Sequence, residues 1–283
     1  MMQNIAHTLL INAQNEGYAI GAFNVYDSTG VQAVIAAAEK VHSPALIQLH
    51  PQALSHGGQP LVALALRATQ QARVPIAVHL DHCSDTTIIA ESLDIGILSI
   101  MADGSHLDYD ANLAFVASAT GKAQEHGAIV EGELGRISGT EDGLTVEAVH
   151  ARMTNPAQAA HFVAETGIHS LAVCVGNVHG KYPFPPQLDF PRLANIRDAI
   201  SVPLVMHGAS GLPQDQIQQS IALGICKFNV NTEVRMAYLD VLRTAQLNHP
   251  QIDLVPLLEK ARDAMRDVII EKMHLFGSVN RVK

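Results

Sequence analysis

The chain has 283 residues, 48% of them hydrophobic, and a formal net charge of −9 with acidic and basic residues scattered. It carries no basic stripe to neutralise a nucleic-acid backbone, and no apolar run reaches the roughly 18 residues of a membrane span, so nucleic acid and membrane are not expected partners. The first twenty residues lack the basic-then-apolar profile of a signal peptide. Cys83, Cys174 and Cys226 are odd in number and far apart, as buried thiols of a reducing compartment are, which predicts a cytoplasmic protein. No linker, low-complexity run or block of like charge divides the chain, so one domain is expected over residues 1–283. Fifteen histidines are the one compositional hint of metal or acid–base work.

Short β-rich runs bounded by turn residues recur every few tens of residues. In chain order they are AIGAFNV (19–25), ALIQLH (45–50), PIAVHLD (75–81), ILSIMAD (97–103), AIVEGEL (128–134), SLAVCVG (170–176), VPLVMHG (202–208) and ICKFNV (225–230). The segments between them carry helical periodicity, for example TGVQAVIAAAEKVH, DANLAFVASATGKAQEHG and NPAQAAHFVAETG. Strand and helix alternating eight times predict an α/β fold, the (β/α)8 TIM barrel, with an open doubly wound sheet as the alternative. Beyond the eighth unit, VPLLEKARDAMRDVIIEKMHLFG predicts an additional C-terminal helix. Its stripe of Leu258, Ala261, Met265, Val268 and Ile269 exceeds what a lone surface helix needs and predicts at least a homodimer, or a homotetramer.

A barrel of this kind builds its active site at the C-terminal ends of its strands. Those ends carry His50, Asp81 with His82, Asp103, Glu133, His179, His207 and Asn229. A catalytic zinc takes three protein ligands and leaves a position open. His82, His179 and His207 are the candidates; each alone would read as a hydrogen-bonded loop histidine. Asp103 and Glu133 are placed to orient them or to hold an alternative metal position. His79 lies earlier in its strand and reads as a packed residue. After the seventh strand, HGASGLPQDQ opens a helix, and after the eighth NVNTE opens another. Gly208, Ser210, Gly211, Asn229 and Thr232 are therefore candidates for an anion at two helix N-termini, the alternative being a turn and two caps.

HLDH, GNVHGKY, HGASG and NVNTE, in this order on strands 3, 6, 7 and 8, resemble the class II, zinc-dependent ketose-bisphosphate aldolases. The branch of fructose- and tagatose-bisphosphate aldolases is nearest, the tagatose members most so in length and texture. AFNV, DGSHL, VEGELG and the C-terminal helix extend the resemblance over essentially the whole chain. It implies one catalytic Zn²⁺ on His82, His179 and His207, and a monovalent cation is a second candidate cofactor. Asp81 is implied as the acid–base residue at the C4 hydroxyl, and Asn229 as a partner of the enediolate. Gly180, Gly208, Ser210 and Thr232 fall on positions that hold the phosphate of a dihydroxyacetone phosphate half. Glu141, in GRISGTEDG, matches the acid of a mobile loop that exchanges the proton on the dihydroxyacetone carbon.

The chain departs from the family where the other half of the substrate would lie. His50 replaces a small hydroxyl residue, Lys181 opens KYPFPP after Gly180, and Asn231 stands where fructose-type members carry Asp and tagatose-type members Ala. A distal phosphate would need cations, and Arg235, Lys181 and His50 are the candidates, with Arg262 or Arg266 reaching across a subunit interface. The expected reaction is reversible aldol cleavage of a ketose 1,6-bisphosphate. The alternatives are another ketose 1-phosphate with a non-phosphorylated or acidic aldehyde half, a Schiff-base aldolase using Lys227, and a non-catalytic sugar-phosphate-binding accessory subunit.

Overall fold

The structure is a computed structural model describing residues 4–141, 144–146, 153–180, 187–249 and 251–282; of 138–141, 144–146 and 179 it describes the backbone. Every strand expected from the sequence is present. The barrel strands are β1 (Ile20–Asn24), β2 (Ala45–Leu49), β3 (Ile76–Cys83), β4 (Ser99–Ala102), β5 (Ile129–Leu134), β8 (Ser170–Val173), β10 (Leu204–Met206) and β11 (Ile225–Val230). They pair in parallel and close in the order β1-β11-β10-β8-β5-β4-β3-β2, which makes the fold a (β/α)8 barrel rather than an open sheet.

The intervening strands are β6 (Ser138–Glu141), β7 (Leu144–Val146) and β9 (Val178–His179), a small sheet of its own in the order β7-β6-β9. The helices are α1 (Ile5–Glu16), α2 (Ser28–Val41), α3 (Pro51–Gln71), α4 (Thr86–Ile95), α5 (Tyr109–Glu125), α6 (Pro156–Thr166), α7 (Phe190–Ala199), α8 (Gln214–Ala222), α9 (Thr232–Asn248) and α10 (Leu254–Leu275). Most begin at a side chain that accepts from the orphan N–H groups of the first turn: Asn4, Asp27, Asp85, Asp108, Asn155 and Asp189. Gly17, Gly96 and Gly167 end theirs in the left-handed region. No helix among the described residues is long and apolar enough to cross a membrane.

Side chains alternate across each strand. One set, including Phe23, Ile47, Val78, Ile100, Val130 and Phe228, is buried in the core beneath the helices. The other faces the barrel axis and changes character with height. At the N-terminal mouth Ile20, Ala22, Leu46 and Ile129 pack under Leu9, Leu10 and Ala13 of α1, which stops that end. Higher up, the axis holds Gln48, His79, Asp81, Glu131, Glu133, Lys227 and Asn229, all buried. Polar groups at that depth need partners, and most find them in one another, while single atoms of Gln48, His79, Glu133 and Asn229 have none among the described residues.

The additional C-terminal helix, α10, lies along α2 and α9. Ala261, Met265, Ile269 and Met273 are buried there, and Phe276 stacks on Phe228 of β11 at a ring separation of 4.8 Å. Of the apolar stripe from which self-association was expected, Ala261, Met265 and Ile269 are thus buried within the chain, while Leu258 and Val268 are half-buried. A helix has one apolar face to give, and here the barrel wall takes it. Replacing Ile269 by Ala is expected to cost about 2–5 kcal/mol of stability, the range for deleting a buried aliphatic side chain. Urea denaturation followed by circular dichroism checks it; an unchanged midpoint would show α10 to be dispensable.

Candidate active site

The centre of the site is Asp81, near the end of β3. Its carboxylate is buried and accepts three amide N–H groups: Asn24 Nδ2 at 2.8 Å to one oxygen, and Gln48 Nε2 and Asn229 Nδ2 at 3.1 Å each to the other. Burial by itself would raise its pKa, but the neighbouring positive charges, His82 foremost and Lys227 with it, outweigh it and hold the carboxyl below the usual range. Asp81 is ionised and fixed in one orientation.

His82 is the next residue, and strict alternation would turn it away from Asp81. It does not turn away, because its backbone enters the left-handed region (φ 42°) and the register of β3 against β4 shifts between Leu80 and Cys83. A non-glycine residue pays conformational strain to sit there, and the return is two consecutive side chains aimed at one place. His82 Nδ1 meets Asp103 Oδ2 at 2.7 Å, and Asp103 is steadied by the Ser105 N–H at 2.9 Å. The other imidazole nitrogen, Nε2, lies 2.8 Å from His207 Nδ1.

Glu133 Oε2 stands 3.8 Å from His207 Nδ1, and donor atoms of His82, Glu133 and His207 all lie within 4.8 Å of one another. That oxygen is buried without a hydrogen-bond partner among the described residues, and so is Oδ1 of Asn229. Burial, together with the charges of Asp103, Glu131 and Asp81, pushes the Glu133 carboxyl well above its usual range, partly offset by His82. Two imidazoles and a buried carboxyl with an unpartnered oxygen are a donor set a divalent metal fits.

The two carboxylates that the sequence left equivalent differ in contact: Asp103 is hydrogen-bonded to Nδ1 of His82, whereas Glu133 Oε2 stands 3.9 Å from that nitrogen and 3.8 Å from Nδ1 of His207. His179 reaches the rim by another route. Gly139 of β6 pairs with it on β9, so the sheet outside the barrel brings Glu141, two residues along β6, toward the same edge. The side chains of His179 and Glu141 and the whole of Lys181 lie outside the described residues.

Of the expected phosphate contacts, Gly180 and Gly208 occupy the left-handed region at φ 81° and 70°, Ser210 is buried, and Thr232 opens α9. The Gly211 N–H donates to Glu233 Oε1 at 3.2 Å, and Glu233 in turn pairs with Lys272 of α10. Asn231 Oδ1 accepts the Tyr26 hydroxyl at 2.9 Å. His50 is buried with its ring 6.5 Å from that of His82, and its Nδ1 caps α3 by accepting the Gln52 N–H. Arg235 lines a cavity of about 220 Å³ beside Asn24, Tyr26, Asp27 and Tyr238. Arg262 and Arg266 line a groove on the flank between α2 and α3, paired with Asp263 and Asp267.

The sequence reading missed Asn24, Gln48, Glu131 and Asn177. The first three occupy axis-facing positions in their strands, a signal that strand parity carries. Asn177 ties the loop after β8 to the carbonyl of His207 at 3.1 Å, which sequence alone does not suggest. The Schiff-base alternative fails on Lys227: it is fully buried below His207, with its ammonium 2.8 Å from Glu131 Oε2. A carbonyl substrate has no approach to that amine.

The family model for class-II fructose-bisphosphate aldolases matches residues 4–281. The chain belongs to this family. Among solved structures it is similar to a Coccidioides immitis protein described provisionally as a fructose-1,6-bisphosphate aldolase, with 36% identity, 99% of each chain covered and a TM-score of 0.94. It is also similar to the YdjI aldolase of Escherichia coli K12, with 34% identity, 98% of each chain covered and a TM-score of 0.89. The fructose-bisphosphate aldolase of Campylobacter jejuni shares the fold at 22% identity and a TM-score of 0.80, over 98% of this chain and 95% of that one. As a class-II aldolase the protein is a carbon–carbon lyase. The donor cluster predicts that it binds a single transition-metal ion per chain and that His207→Ala releases it. Elemental analysis after gel filtration reads both; metal retained at wild-type stoichiometry in the variant would remove His207 from the ligand set.

Proposed function

We propose that this aldolase uses Zn²⁺, held by His82, His179 and His207 with Glu133 as an alternative ligand, to cleave a ketose 1,6-bisphosphate reversibly. The ketose is tagatose or fructose 1,6-bisphosphate, and the products are dihydroxyacetone phosphate and glyceraldehyde 3-phosphate. The observation that carries the reading is an ionised carboxylate, Asp81, held by three amides immediately beside the His82–Glu133–His207 cluster. The metal, when bound, supplies the positive charge that stabilises electrons left beside a carbonyl.

The chain's own residues account for the proton movements. Asp81 takes the proton from the C4 hydroxyl as the C3–C4 bond breaks, so that C4 leaves as the aldehyde and the electron pair stays on C3. Glu141 then delivers a proton to C3, completing dihydroxyacetone phosphate. The orphaned Asn229 Oδ1 is the acceptor offered to the enediolate hydroxyl. Gly180, Gly208, Ser210 and Thr232 receive the 1-phosphate, helped by the N-terminus of α9. A metal and a base would be superfluous in an accessory subunit that only binds sugar phosphates.

The same reading places the work in the cytoplasm, in a protein of one domain over residues 1–283; the family match across 4–281 supports that extent. A homodimer or homotetramer stays part of it. Leu247, Leu254 and Val255, exposed together at the turn between α9 and α10, replace the α10 stripe as its support. Sedimentation as a monomer at micromolar concentration would count against assembly.

Asp81→Ala is expected to lower cleavage by roughly two or more powers of ten, within the range for a general acid–base group. It should still exchange the C3 proton of dihydroxyacetone phosphate, whereas Glu141→Ala should lose that exchange. A coupled assay and deuterium exchange followed by NMR separate the two, and the reverse pattern would exchange the roles.

The distal half rests on Arg235, with His50 and Asn231 shaping the wall between Tyr26 and the rim. A guanidinium meets phosphate oxygens in pairs. Arg235→Ala is therefore expected to raise KM for a 1,6-bisphosphate and to affect a ketose 1-phosphate much less. Equal effects on both would favour the second reading, a ketose 1-phosphate whose aldehyde half is acidic or carries no phosphate. The aromatic and apolar neighbours of Arg235 already lean toward a less highly charged end group: Tyr26, Tyr238, Leu239 and Met265 line the same cavity.

A further inference from the structure

Below the ligand cluster is an ion pair that the proposed chemistry does not use. Lys227 of β11 is fully buried, and its ammonium is 2.8 Å from Glu131 Oε2. The other oxygen of Glu131 lies 2.9 Å from His207 Nε2. His79 is the remaining group at this height. Its Nδ1 is taken up by the Ser99 hydroxyl at 2.8 Å, and its Nε2 stays 4.0 Å from Glu131, too far for a hydrogen bond. Lys227 is thus the charge paired with Glu131, and His207 is the only imidazole hydrogen-bonded to it among the described residues.

A buried ion pair is a poor source of stability. Removing both ions from water costs several kcal/mol each, and apolar replacements of similar volume are often as stable or more so. The pair in this barrel therefore calls for a reason other than folding, and His207 supplies one. An imidazole can ligate a metal only through a nitrogen without a proton, so the other nitrogen must carry the proton and donate it. In His207 the nitrogen facing His82 and Glu133 is Nδ1, which leaves Nε2–H to point down the axis at Glu131. Without an anion at that spot the ring could turn over or adopt the other tautomer, and Nδ1 would be lost as a ligand.

We infer that Lys227 and Glu131 are positioning residues for the metal centre: Lys227 fixes the Glu131 carboxylate, and Glu131 fixes His207 in the tautomer and orientation that present Nδ1 to the ion. The inference rests on the metal site proposed above. It gives Lys227 a task in a metal-dependent aldolase quite different from the covalent one its place on the eighth barrel strand suggested, because it acts through two intervening groups and never meets substrate.

The test compares the wild type with the charge-neutral double variant Glu131→Gln/Lys227→Met, which leaves neither charge buried alone. Zn²⁺ affinity is measured by competition with a chromophoric chelator, the ligand field by the visible spectrum of the Co²⁺ form, and stability by the melting temperature of the metal-free protein. Metal affinity is expected to fall about 10- to 100-fold, the usual consequence of losing the hydrogen-bond partner of a ligand. The Co²⁺ bands should shift, and the metal-free melting temperature should be unchanged or higher. Glu131→Asp keeps both charges but draws the carboxylate back by one methylene. It is expected to weaken metal binding as well, and it supplies the measurement should the double variant not fold. Wild-type affinity and an unchanged Co²⁺ spectrum in the folded variants would overturn the inference, as would a loss of stability with no loss of affinity. A wild-type protein that binds neither metal would instead overturn the metal site itself.

Discussion

Water cannot reach a carboxylate at the axis of a closed barrel, and every charge placed there has to be answered by another side chain. That constraint organises the upper half of this protein. Asp81 is answered by three amides, Asp103 by His82 and a backbone N–H, and Glu131 by Lys227 and His207. Glu133 has no such answer among the described residues. The imbalance is confined to the one spot where His82 and His207 also turn their nitrogens, and a divalent cation is what would cancel it. The remainder of the axis is already neutralised, so a metal placed elsewhere would gain little.

Arranging the charges this way requires the strands to break their own rule at the rim. Alternation alone supplies Asn24, Gln48, Asp81, Glu133 and Asn229 to the axis, but it cannot supply His82 as well as Asp81. The left-handed residue and the register shift at the end of β3 achieve that. The sheet β7-β6-β9 solves a similar difficulty for His179 and Glu141, since neither lies on a barrel strand. Pairing Gly139 with His179 ties the two loops together.

The barrel itself was legible in the sequence because eight apolar runs end in polar residues, and runs of that length between helical periods admit few other folds. The rim was legible for the same reason: His82, His207, Asp81 and Asn229 interrupt the pattern where a strand should stop. Residues inside the strands were harder to see. Glu131 and Gln48 lie among apolar neighbours, where a polar residue reads as an exception until parity assigns it to the axis. The stripe on α10 was recognised correctly as apolar, but a helix pattern does not say what covers it, and α2 does so before any partner can. The partner of the Gly211 amide was hidden for a related reason. Composition marks a glycine-rich loop as a cradle, whereas the fate of each amide depends on a neighbour such as Glu233, which only the packing of α9 against α10 brings near.

The two ends of the substrate region are built on different principles, and this bears on specificity. Around the loops after β10 and β11 the proposed phosphate contacts are backbone amides and small residues, and such donors recognise a phosphate whatever the sugar attached to it. On the opposite side, from β1 and β2 to α9, side chains line the wall: Tyr26 holds Asn231, Tyr238 donates to Asp27 at 3.2 Å, and His50 is fixed by its cap to α3. Side chains change singly without disturbing the fold, whereas backbone donors cannot. A family that keeps dihydroxyacetone phosphate and varies its aldehyde would vary this wall first. Of the three positions at which the resemblance breaks down, His50 and Asn231 belong to this wall, and Lys181 lies outside the described residues. In the proposed reading, reaction type and substrate choice are therefore separable, the first set by the axis and the second by one sector of the rim.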